Sequence, residues 1–282
     1  IGDSWKSFEL AIDYLNLFNV PTICLAHGNE LVKKNNNQFK RLKNTLNKVS
    51  SVVCNSNFTK NLIKKLEIKK PIIRTIYPGV EDSSLIPEKI IPSVIGDPIL
   101  LTLSRLEKRK GHKFVIEMIP KLKEKFPKIL YVIAGSGKEL INLKNIVRYL
   151  KLYNHVIFVG DVNSKEKKFL LNKASLMVMP TIDDISNRSI EGFGISYIEA
   201  ALQKLPSIAS NVGGSAEAVL HNKTGIILED IDSLYEKIEL VLTNDTLLSN
   251  LGKAAYERAS KEFKWPIIVK IYLKLIEELN KK

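Results

Sequence analysis

Short apolar runs that alternate with longer amphipathic stretches organise most of the chain. From Ile99 onward each run is apolar throughout, not only at every second position, and a helical pattern separates it from the next run. Strands that are apolar on both faces are typical of a parallel sheet covered by helices. The pattern therefore predicts a doubly wound α/β domain, with strands at ILLTL, ILYVIAG, HVIFVG, SLMVMP, PSIAS and TGIIL.

The first part of the chain predicts a smaller α/β unit. An amphipathic helix pattern begins at Trp5, and apolar, strand-like runs follow at 20–26, 51–56 and 72–76. The chain starts at Ile1 without a methionine, so we expect the natural protein to begin earlier.

Residues 80–98 mark the boundary between the two units. They contain several prolines and no sustained period, which is typical of an interdomain linker. The tail of the chain has the pattern of a single amphipathic helix. We therefore expect one domain at 1–96, linker included, a second at 97–264, and a final helix at 265–282.

The composition is that of a globular protein. Apolar residues make up 45% of the 282 residues, which is ordinary for a chain with a buried core. The sequence has no apolar run of about eighteen residues and no basic-then-apolar leader. Cys24 and Cys54 lie in strand-like runs, which favours buried thiols over a disulfide or a metal site. A cytoplasmic location is the resulting expectation.

The net charge is +13, and most of the excess lies in residues 33–70. This segment carries eleven lysines and arginines against one acid, Glu67. Such a patch attracts phosphates, an anionic membrane face or nucleic acid, and a lysine-rich solvated face is the alternative. Nucleic acid is the least favoured partner, because the segment has neither interleaved aromatic residues nor a recognition motif.

Several polar groups follow the predicted strands, where doubly wound sheets bind ligands. In EGFGISYIE, Glu191 and Glu199 bracket a glycine turn and a helix start whose N–H groups could bind an anion. Arg105 and Lys110 follow ILLTL, and a guanidinium beside an ammonium suits a diphosphate. His27 ends a strand that would deliver it into a cleft. Each feature has a structural alternative: a plain loop-to-helix junction, solvated basic side chains, or a hydrogen-bonded histidine at a strand end.

The glycine-rich loops narrow the cofactor classes. GSGK, after ILYVIAG, brings backbone close to a ligand. It has neither the spacing of a dinucleotide fingerprint nor that of a Walker A loop, so NAD binding and ATP hydrolysis lose support. A second loop, NVGGSAE after PSIAS, can equally be a close-packed turn.

In combination, these motifs resemble a known family. SRLEKRKG, VIAGSGKE, VIFVGDV, EGFGISYIEAA, PSIASNVGGSAEAV and TGIIL resemble the donor-nucleotide domain of retaining glycosyltransferases of family four, which have the GT-B fold. AHGNE, VVCNSNFTKNLI and YPGVE resemble the second half of that family's acceptor-binding domain. The pattern is most similar to the lipid-directed mannosyltransferase branch. The resemblance implies two Rossmann-like domains facing a cleft, an incomplete N-terminal domain, and a C-terminal helix that crosses back to it.

The resemblance also implies roles for single residues. Arg105 and Lys110 match the pair that binds the donor diphosphate, and His27 matches a histidine beside the donor sugar. Glu191 matches the acid that contacts the sugar, and Glu199 the acid that binds the ribose. The resemblance implies further donor-binding positions in three places. They are Gly135 and Gly137 in the GSGK loop, Gly160 and Val162 beside the base, and Gly192, Phe193, Gly194 and Ile195 in the turn after Glu191.

The implied function is that of a hexosyltransferase. It would move a sugar from a UDP or GDP donor to a lipid-linked or polysaccharide-precursor glycan, with retention at the anomeric carbon. No cofactor or metal is expected, since Asp183-Asp184 is not the Asp-x-Asp pattern of metal-dependent transferases. The basic segment 33–70 would lie in the acceptor half, which suggests peripheral association with the inner face of the membrane. A nucleotide-sugar epimerase of the same fold and a non-catalytic nucleotide-sugar binding protein stay open as alternatives.

Overall fold

Two parallel sheets form the framework of the protein. A computed structural model describes residues 1–32, 35–183 and 189–281. The first sheet has the order β1-β2-β3 and the second the order β6-β5-β4-β7-β8-β9. The strands are β1 (Ile23–Ala26), β2 (Ser51–Cys54), β3 (Ile72–Thr75), β4 (Ile99–Leu103), β5 (Leu130–Ala134), β6 (Val156–Gly160), β7 (Leu176–Met179), β8 (Ser207–Ser210) and β9 (Gly225–Leu228). The α/β prediction with two Rossmann-like sheets is confirmed.

Helices cover both faces of each sheet. The described helices are α1 (Ile12–Leu17), α2 (Asn36–Leu46), α3 (Asn57–Lys65), α4 (His112–Lys125), α5 (Leu140–Tyr149), α6 (Ser164–Lys173), α7 (Ile195–Ala201), α8 (Ser215–Ala218), α9 (Leu234–Leu242), α10 (Asp245–Glu262) and α11 (Trp265–Asn280). Short 3-10 turns lie at Trp5–Ser7, Asn29–Leu31, Ser83–Leu85 and Lys108–Lys110. The helix predicted from Trp5 is interrupted: a 3-10 turn comes first, and α1 begins only at Ile12. Neither start has a side-chain cap.

The order of the second sheet places a ligand crevice between β4 and β7. From β4 the chain proceeds outward to β5 and β6, and β7 returns to the other side of β4. The loops that leave β4 and β7 therefore run in opposite directions, which opens a crevice at the carboxyl ends of these strands. Side chains of successive strand residues point to opposite faces. Tyr131 packs under α4, α5 and α9, whereas Val132 belongs to the core under α6, α7 and α10.

The first sheet is covered by elements from both ends of the chain. One face packs against α1, α2 and α3, with Leu42 and Ile63 in its core. The other face packs against α11, whose Ile268 and Leu275 lie on Val53 and its neighbours. Helix α11 follows the second sheet in sequence, so the chain returns to the first sheet at its end.

Both connections between the sheets run side by side. The backbone N–H of Val80 donates to Phe263 O at 2.8 Å, just where the linker leaves β3 and the chain enters α11. Phe263 is fully buried and lies 5.5 Å from the Tyr77 ring. In the described part of the chain, no helix is both long enough and apolar enough to cross a bilayer.

Candidate active site

A cavity of about 290 Å³ opens at the carboxyl ends of β4 and β7, facing the first sheet. Its position is the crevice expected from the strand order. Residues of both units line it: His27, Asn29, Asn55, Leu103, Ser104, Arg105, Arg109, Lys110, Ile190, Glu191, Gly192, Phe193, Gly194, Ile195 and Ser196.

The loop between β4 and α4 supplies the cations of the cavity. It ends in a 3-10 turn at Lys108–Lys110, and Gly111 follows with a positive φ of 74°. A side chain at Gly111 would collide with the carbonyl oxygen of Pro180, so the turn can pack closely on the β7 loop only with glycine there. The backbone N–H of Ile182 donates to Arg109 O at 2.8 Å and joins the two loops.

Glu191 is the buried acid at the centre of the cavity. It is 7% exposed, and its Oε2 accepts hydrogen bonds from Arg109 Nη1 at 2.8 Å and from Lys110 Nζ at 2.5 Å. Burial alone would raise the pKa of Glu191, but the two cations outweigh it and lower that pKa below the ordinary value. Burial lowers the pKa of Lys110, and the nearby Glu191 opposes that change. We therefore describe Glu191 as an ionised carboxylate between two buried cations.

Arg105 is the exposed cation of the cavity. Its side chain is 66% exposed, and Nη1 lies 2.7 Å from Glu107 Oε1. Solvent screens an exposed ion pair of this kind and makes it weak, so the Arg105 guanidinium can leave Glu107 for a more highly charged anion. Arg105 and Lys110 thus reach the same cavity from different depths.

The first sheet contributes polar groups to the opposite wall. His27 Nε2 lies 3.0 Å from Asp3 O and 3.3 Å from Asp3 Oδ1. Asn29 Oδ1 accepts from the backbone N–H of Ile190 at 2.8 Å, and Asn55 Nδ2 donates to His27 O at 3.2 Å. These bonds hold the segment just before Glu191 against the wall that carries His27.

The glycine turn after Glu191 is tightly packed between the two units. A side chain at Gly192 would collide with His27 O, and Gly194 has a φ of 94° at the start of α7. Between them the Phe193 ring turns into the core and stacks on Tyr77 at 5.1 Å. Phe193 therefore offers only backbone to the cavity, while Ile195 is 46% exposed at the first position of α7.

Comparison with known families decides the identity of this arrangement. Residues 88–258 match the family model described as glycosyl transferases group 1, and residues 2–84 match the model described as glycosyltransferase family 4. The chain belongs to the group 1 glycosyl transferases. The family resemblance stated from the motifs is confirmed.

Relatives of this group 1 glycosyl transferase include a mannosyltransferase and an uncharacterized glycosyltransferase. A GDP-mannose-dependent alpha-(1-6)-phosphatidylinositol monomannoside mannosyltransferase of Mycobacterium tuberculosis is 30% identical over 60% of the chain and 44% of its own length. An uncharacterized glycosyltransferase of Methanocaldococcus jannaschii is 28% identical over 94% of the chain and 70% of its own length. The chain thus spans less than half the length of the mycobacterial relative.

Solved structures share the fold. Sucrose-phosphate synthase from Thermosynechococcus elongatus superposes with a TM-score of 0.82 at 21% identity, over 99% of this chain and 73% of its own. The Anabaena protein HepE in complex with UDP also gives a TM-score of 0.82, at 19% identity over 99% of this chain and 77% of its own. These neighbours support the GT-B architecture of the group 1 glycosyl transferase.

Some predicted donor-binding residues lie outside the cavity. Glu199, on α7, is ion-paired with Lys167 of α6 and does not line the cavity. Side chains at Gly135 and Gly137 would collide with carbonyl oxygens of the β4 loop, so these glycines support the loop that carries Arg105.

The segment predicted to lie beside the base also lies outside the cavity. A side chain at Gly160 would meet no atom, although its φ is 71°, and Val162 packs against the core. The roles assigned to this segment stay predictions.

Three polar residues of the transferase were not anticipated from its motifs. Arg109 is 3% exposed and contacts both Glu107 and Glu191, yet the doublet RK in SRLEKRKG drew attention only to Lys110. Asn29 follows AHG and bonds to Ile190, 161 residues away. Glu217, in the loop NVGGSAE, accepts from the backbone N–H groups at the start of α3, about 160 residues away. Only the RK doublet offered a sequence signal.

Metal ligation was also considered for the described residues. Across 1–32, 35–183 and 189–281, no group of three His, Cys, Asp or Glu side chains could hold a metal ion. Asp184 of the Asp183-Asp184 pair lies outside these ranges. Cys24 and Cys54 are free and buried, and burial raises the pKa of each thiol to about 12.

Proposed function

We propose that this protein transfers a sugar from a nucleoside diphosphate sugar to an acceptor, with retention at the anomeric carbon. The observation that carries the proposal is the cavity itself. There a buried carboxylate, Glu191, and three cations face the wall that holds His27, at the position where doubly wound sheets bind nucleotides. Membership in the group 1 glycosyl transferases supports the same reaction.

The cations would act on the leaving group. In the proposed reaction the bond between the anomeric carbon and the diphosphate oxygen breaks, and a bond to an acceptor hydroxyl oxygen forms on the same face of the sugar. The acceptor proton passes to the departing phosphate. Arg105 and Lys110 would stabilise the negative charge that develops on the diphosphate, which is a large term in catalysis within a partly enclosed site. Glu191 would accept hydrogen bonds from the donor sugar.

The donor would lie across the second sheet. We assign the ribose to Glu199, which lies on α7, the helix that begins at the cavity, and the base to the segment 160–162 at the carboxyl end of the edge strand β6. GDP-mannose is the first donor to test because the mycobacterial relative is named as GDP-mannose-dependent. UDP-glucose is the second, because HepE has been observed with UDP-glucose.

The acceptor would be held at a membrane surface. Basic side chains of the segment 33–70 lie on α2 and α3, which cover one face of the first sheet together with α1. Lys33 and Lys34 lie outside the described residues. The exposed apolar side chains on α1 and its flanks are Leu10, Tyr14, Leu17, Phe18 and Val20. An apolar strip next to basic side chains suits an anionic bilayer, where each unpaired basic residue contributes about 1 kcal/mol. Arg41, Lys43 and Lys48 are ion-paired with Glu9, Glu67 and Asp13, so the proposal rests on the lysines of α3.

Sedimentation with liposomes tests the membrane proposal. The protein should pellet with vesicles that contain phosphatidylserine and not with vesicles of phosphatidylcholine alone, and added salt should weaken the binding. Replacing Lys64 and Lys65 of α3 by glutamine should reduce pelleting. Equal binding to anionic and neutral vesicles would remove this proposal and leave the transferase proposal standing.

Release of nucleotide tests the transferase proposal. The protein is incubated with GDP-mannose or UDP-glucose, with and without a lipid-linked or oligosaccharide acceptor, and free GDP or UDP is measured. We expect release that depends on the acceptor and is lost in Glu191→Gln, while Lys108→Gln, an exposed neighbour in the same loop, retains it. Acceptor-independent release would favour an epimerase. Donor binding without release under any condition would favour a non-catalytic binding protein.

A further inference from the structure

Arg109 is a buried cation with two anionic partners. Its Nε lies 3.1 Å from Glu107 Oε2 and its Nη1 lies 2.8 Å from Glu191 Oε2. Its backbone oxygen accepts from Ile182. The guanidinium is planar, with its donors in a fixed fork, so it cannot turn away from one partner without disturbing the other. Arg109 is therefore fixed at both its side chain and its backbone.

Lys110 shares the same carboxylate oxygen but is held differently. Its Nζ donates to Glu191 Oε2 at 2.5 Å, and its other close neighbour is the weak acceptor Met179 Sδ at 3.7 Å. An ammonium on a flexible four-carbon chain can exchange one oxygen ligand for another by rotating. Lys110 can therefore leave Glu191 more readily than Arg109, which is held by two carboxylates.

We propose that Arg109 is a positioning residue: it holds the Glu191 carboxylate in place while Lys110 exchanges Glu191 for the diphosphate of the donor. This inference rests on the proposed function, because the exchange needs a diphosphate. Without Arg109, the departure of Lys110 would leave a buried carboxylate with no cation, and such a group takes up a proton. Arg109 prevents that and keeps Glu191 an acceptor.

The surroundings of Glu191 agree with this division of roles. Arg109 and Lys110, from the loop after β4, contact the Glu191 carboxylate. Glu107 pairs with both Arg109 and Arg105, so the charges alternate in sign from Glu191 to Arg105. From α7 the buried Tyr197 donates its hydroxyl to Met179 O, and from the first sheet His27 lines the same cavity. The pKa of Glu191 lies below its ordinary value despite burial, because of Lys110 and Arg109. Of these two cations, Arg109 is the one whose side chain is held by two carboxylates.

Proton uptake during ligand binding tests the exchange. Wild type, Arg109→Gln, Arg109→Lys and Lys108→Gln are titrated calorimetrically with GDP-mannose and UDP-glucose at about pH 6, in buffers of different ionisation enthalpy. These sugar diphosphates carry no phosphate that titrates near pH 6, and the proton uptake of each variant is compared with that of wild type. We expect Arg109→Gln to bind at least roughly tenfold more weakly and to take up about one proton, since one charge-assisted bond is lost and Glu191 is neutralised. Wild type, Arg109→Lys and Lys108→Gln should take up almost none.

Two results would overturn the inference. The first is Arg109→Gln binding with wild-type affinity and no proton uptake. The second concerns wild type alone and covers the case in which Arg109→Gln does not fold. The carbon-13 resonance of the Glu191 carboxyl should show the ionised form down to about pH 5 with ligand bound, and protonation above that pH contradicts the role of Arg109.

Failure of the proposed function would be visible separately. If wild type binds neither sugar nucleotide, the donor assignment fails. The same carbon-13 titration on the free proteins then decides the role of Arg109: a higher pKa of Glu191 in Arg109→Gln than in wild type supports it. An unchanged pKa contradicts it.

Discussion

Removing the Glu217 carboxylate should weaken the contact between the two units. Glu217 lies on α8 of the second unit, and its two oxygens accept from the backbone N–H groups of Asn57 and Phe58, both at 2.7 Å. These groups open α3 of the first unit, where the helix dipole favours a negative charge. The Tyr77 hydroxyl donates to the same carboxylate at 3.0 Å. One side chain thus joins α8, the start of α3 and the segment that follows β3.

The magnitude follows from these bonds. Charge-assisted hydrogen bonds contribute about 1.5–3 kcal/mol each, and water can replace part of that at a half-buried site. We therefore expect Glu217→Ala to weaken the contact by about 2 kcal/mol in total. Each 1.4 kcal/mol is roughly a factor of ten in the opening equilibrium, so exchange of the two amides should accelerate about thirtyfold.

Hydrogen exchange at the amides of Asn57 and Phe58 measures this directly. Glu217→Gln should accelerate exchange by less than Glu217→Ala does. The glutamine oxygen can still accept from one backbone N–H, but the glutamine NH2 faces the other N–H and cannot accept from it. Glu257→Ala, at an exposed position of α10, serves as the matched control. The pKa of Tyr77, which burial and Glu217 raise to about 12, should also fall in Glu217→Ala. Acceleration of less than about threefold in Glu217→Ala would refute this account of the contact.

Three further predictions concern packing and pH. Gly192→Ala should weaken binding of GDP-mannose or UDP-glucose at least roughly tenfold, because its side chain would meet His27 O across the cleft; unchanged affinity in calorimetry would contradict the close contact. Phe263→Ala should lower the free energy of unfolding in urea by about 3–5 kcal/mol, since the ring is fully buried against Tyr77 and Phe193; a loss below about 1 kcal/mol would show a looser junction. The stability advantage of wild type over Glu191→Gln should be fully present above about pH 4.5 and shrink as pH falls through the lowered pKa of Glu191; a difference independent of pH would mean that Glu191 is not ionised in the folded protein.

The parallel strands and the ligand site at their carboxyl ends could be predicted from the sequence, because strands buried on both faces are apolar throughout. Runs such as ILLTL are apolar on both faces only when helices cover both, and the strands from β4 to β9 follow that rule. The weaker elements were less accessible. The pattern starting at Trp5 has the spacing of one helix, yet without a capping side chain the segment divides into a 3-10 turn and a short α1.

The candidate site could be predicted in part. Arg105, Lys110, Glu191 and His27 line one cavity, because each follows a strand whose carboxyl end meets the crevice. The 3-10 turn at Lys108–Lys110 sets the directions of the Arg109 and Lys110 side chains, and no sequence pattern indicated that turn.

Partners far apart in sequence were also inaccessible. Glu217 contacts backbone some 160 residues away, and Asn29 contacts Ile190 across a similar distance. Such contacts follow from the packing of the two units, and local sequence patterns carry no information about that packing.

Binding of a sugar nucleotide to wild type and to Arg105→Gln tests the central claim most directly. Both proteins are titrated calorimetrically with GDP-mannose and UDP-glucose, with Arg148→Gln, an exposed arginine of α5, as the control. The account predicts saturable binding of at least one donor to wild type and to Arg148→Gln. It predicts affinity roughly ten- to a hundredfold weaker in Arg105→Gln, as expected for one lost charge-assisted contact to a diphosphate. Equal affinity in all three proteins, or binding of neither donor to wild type, would contradict it.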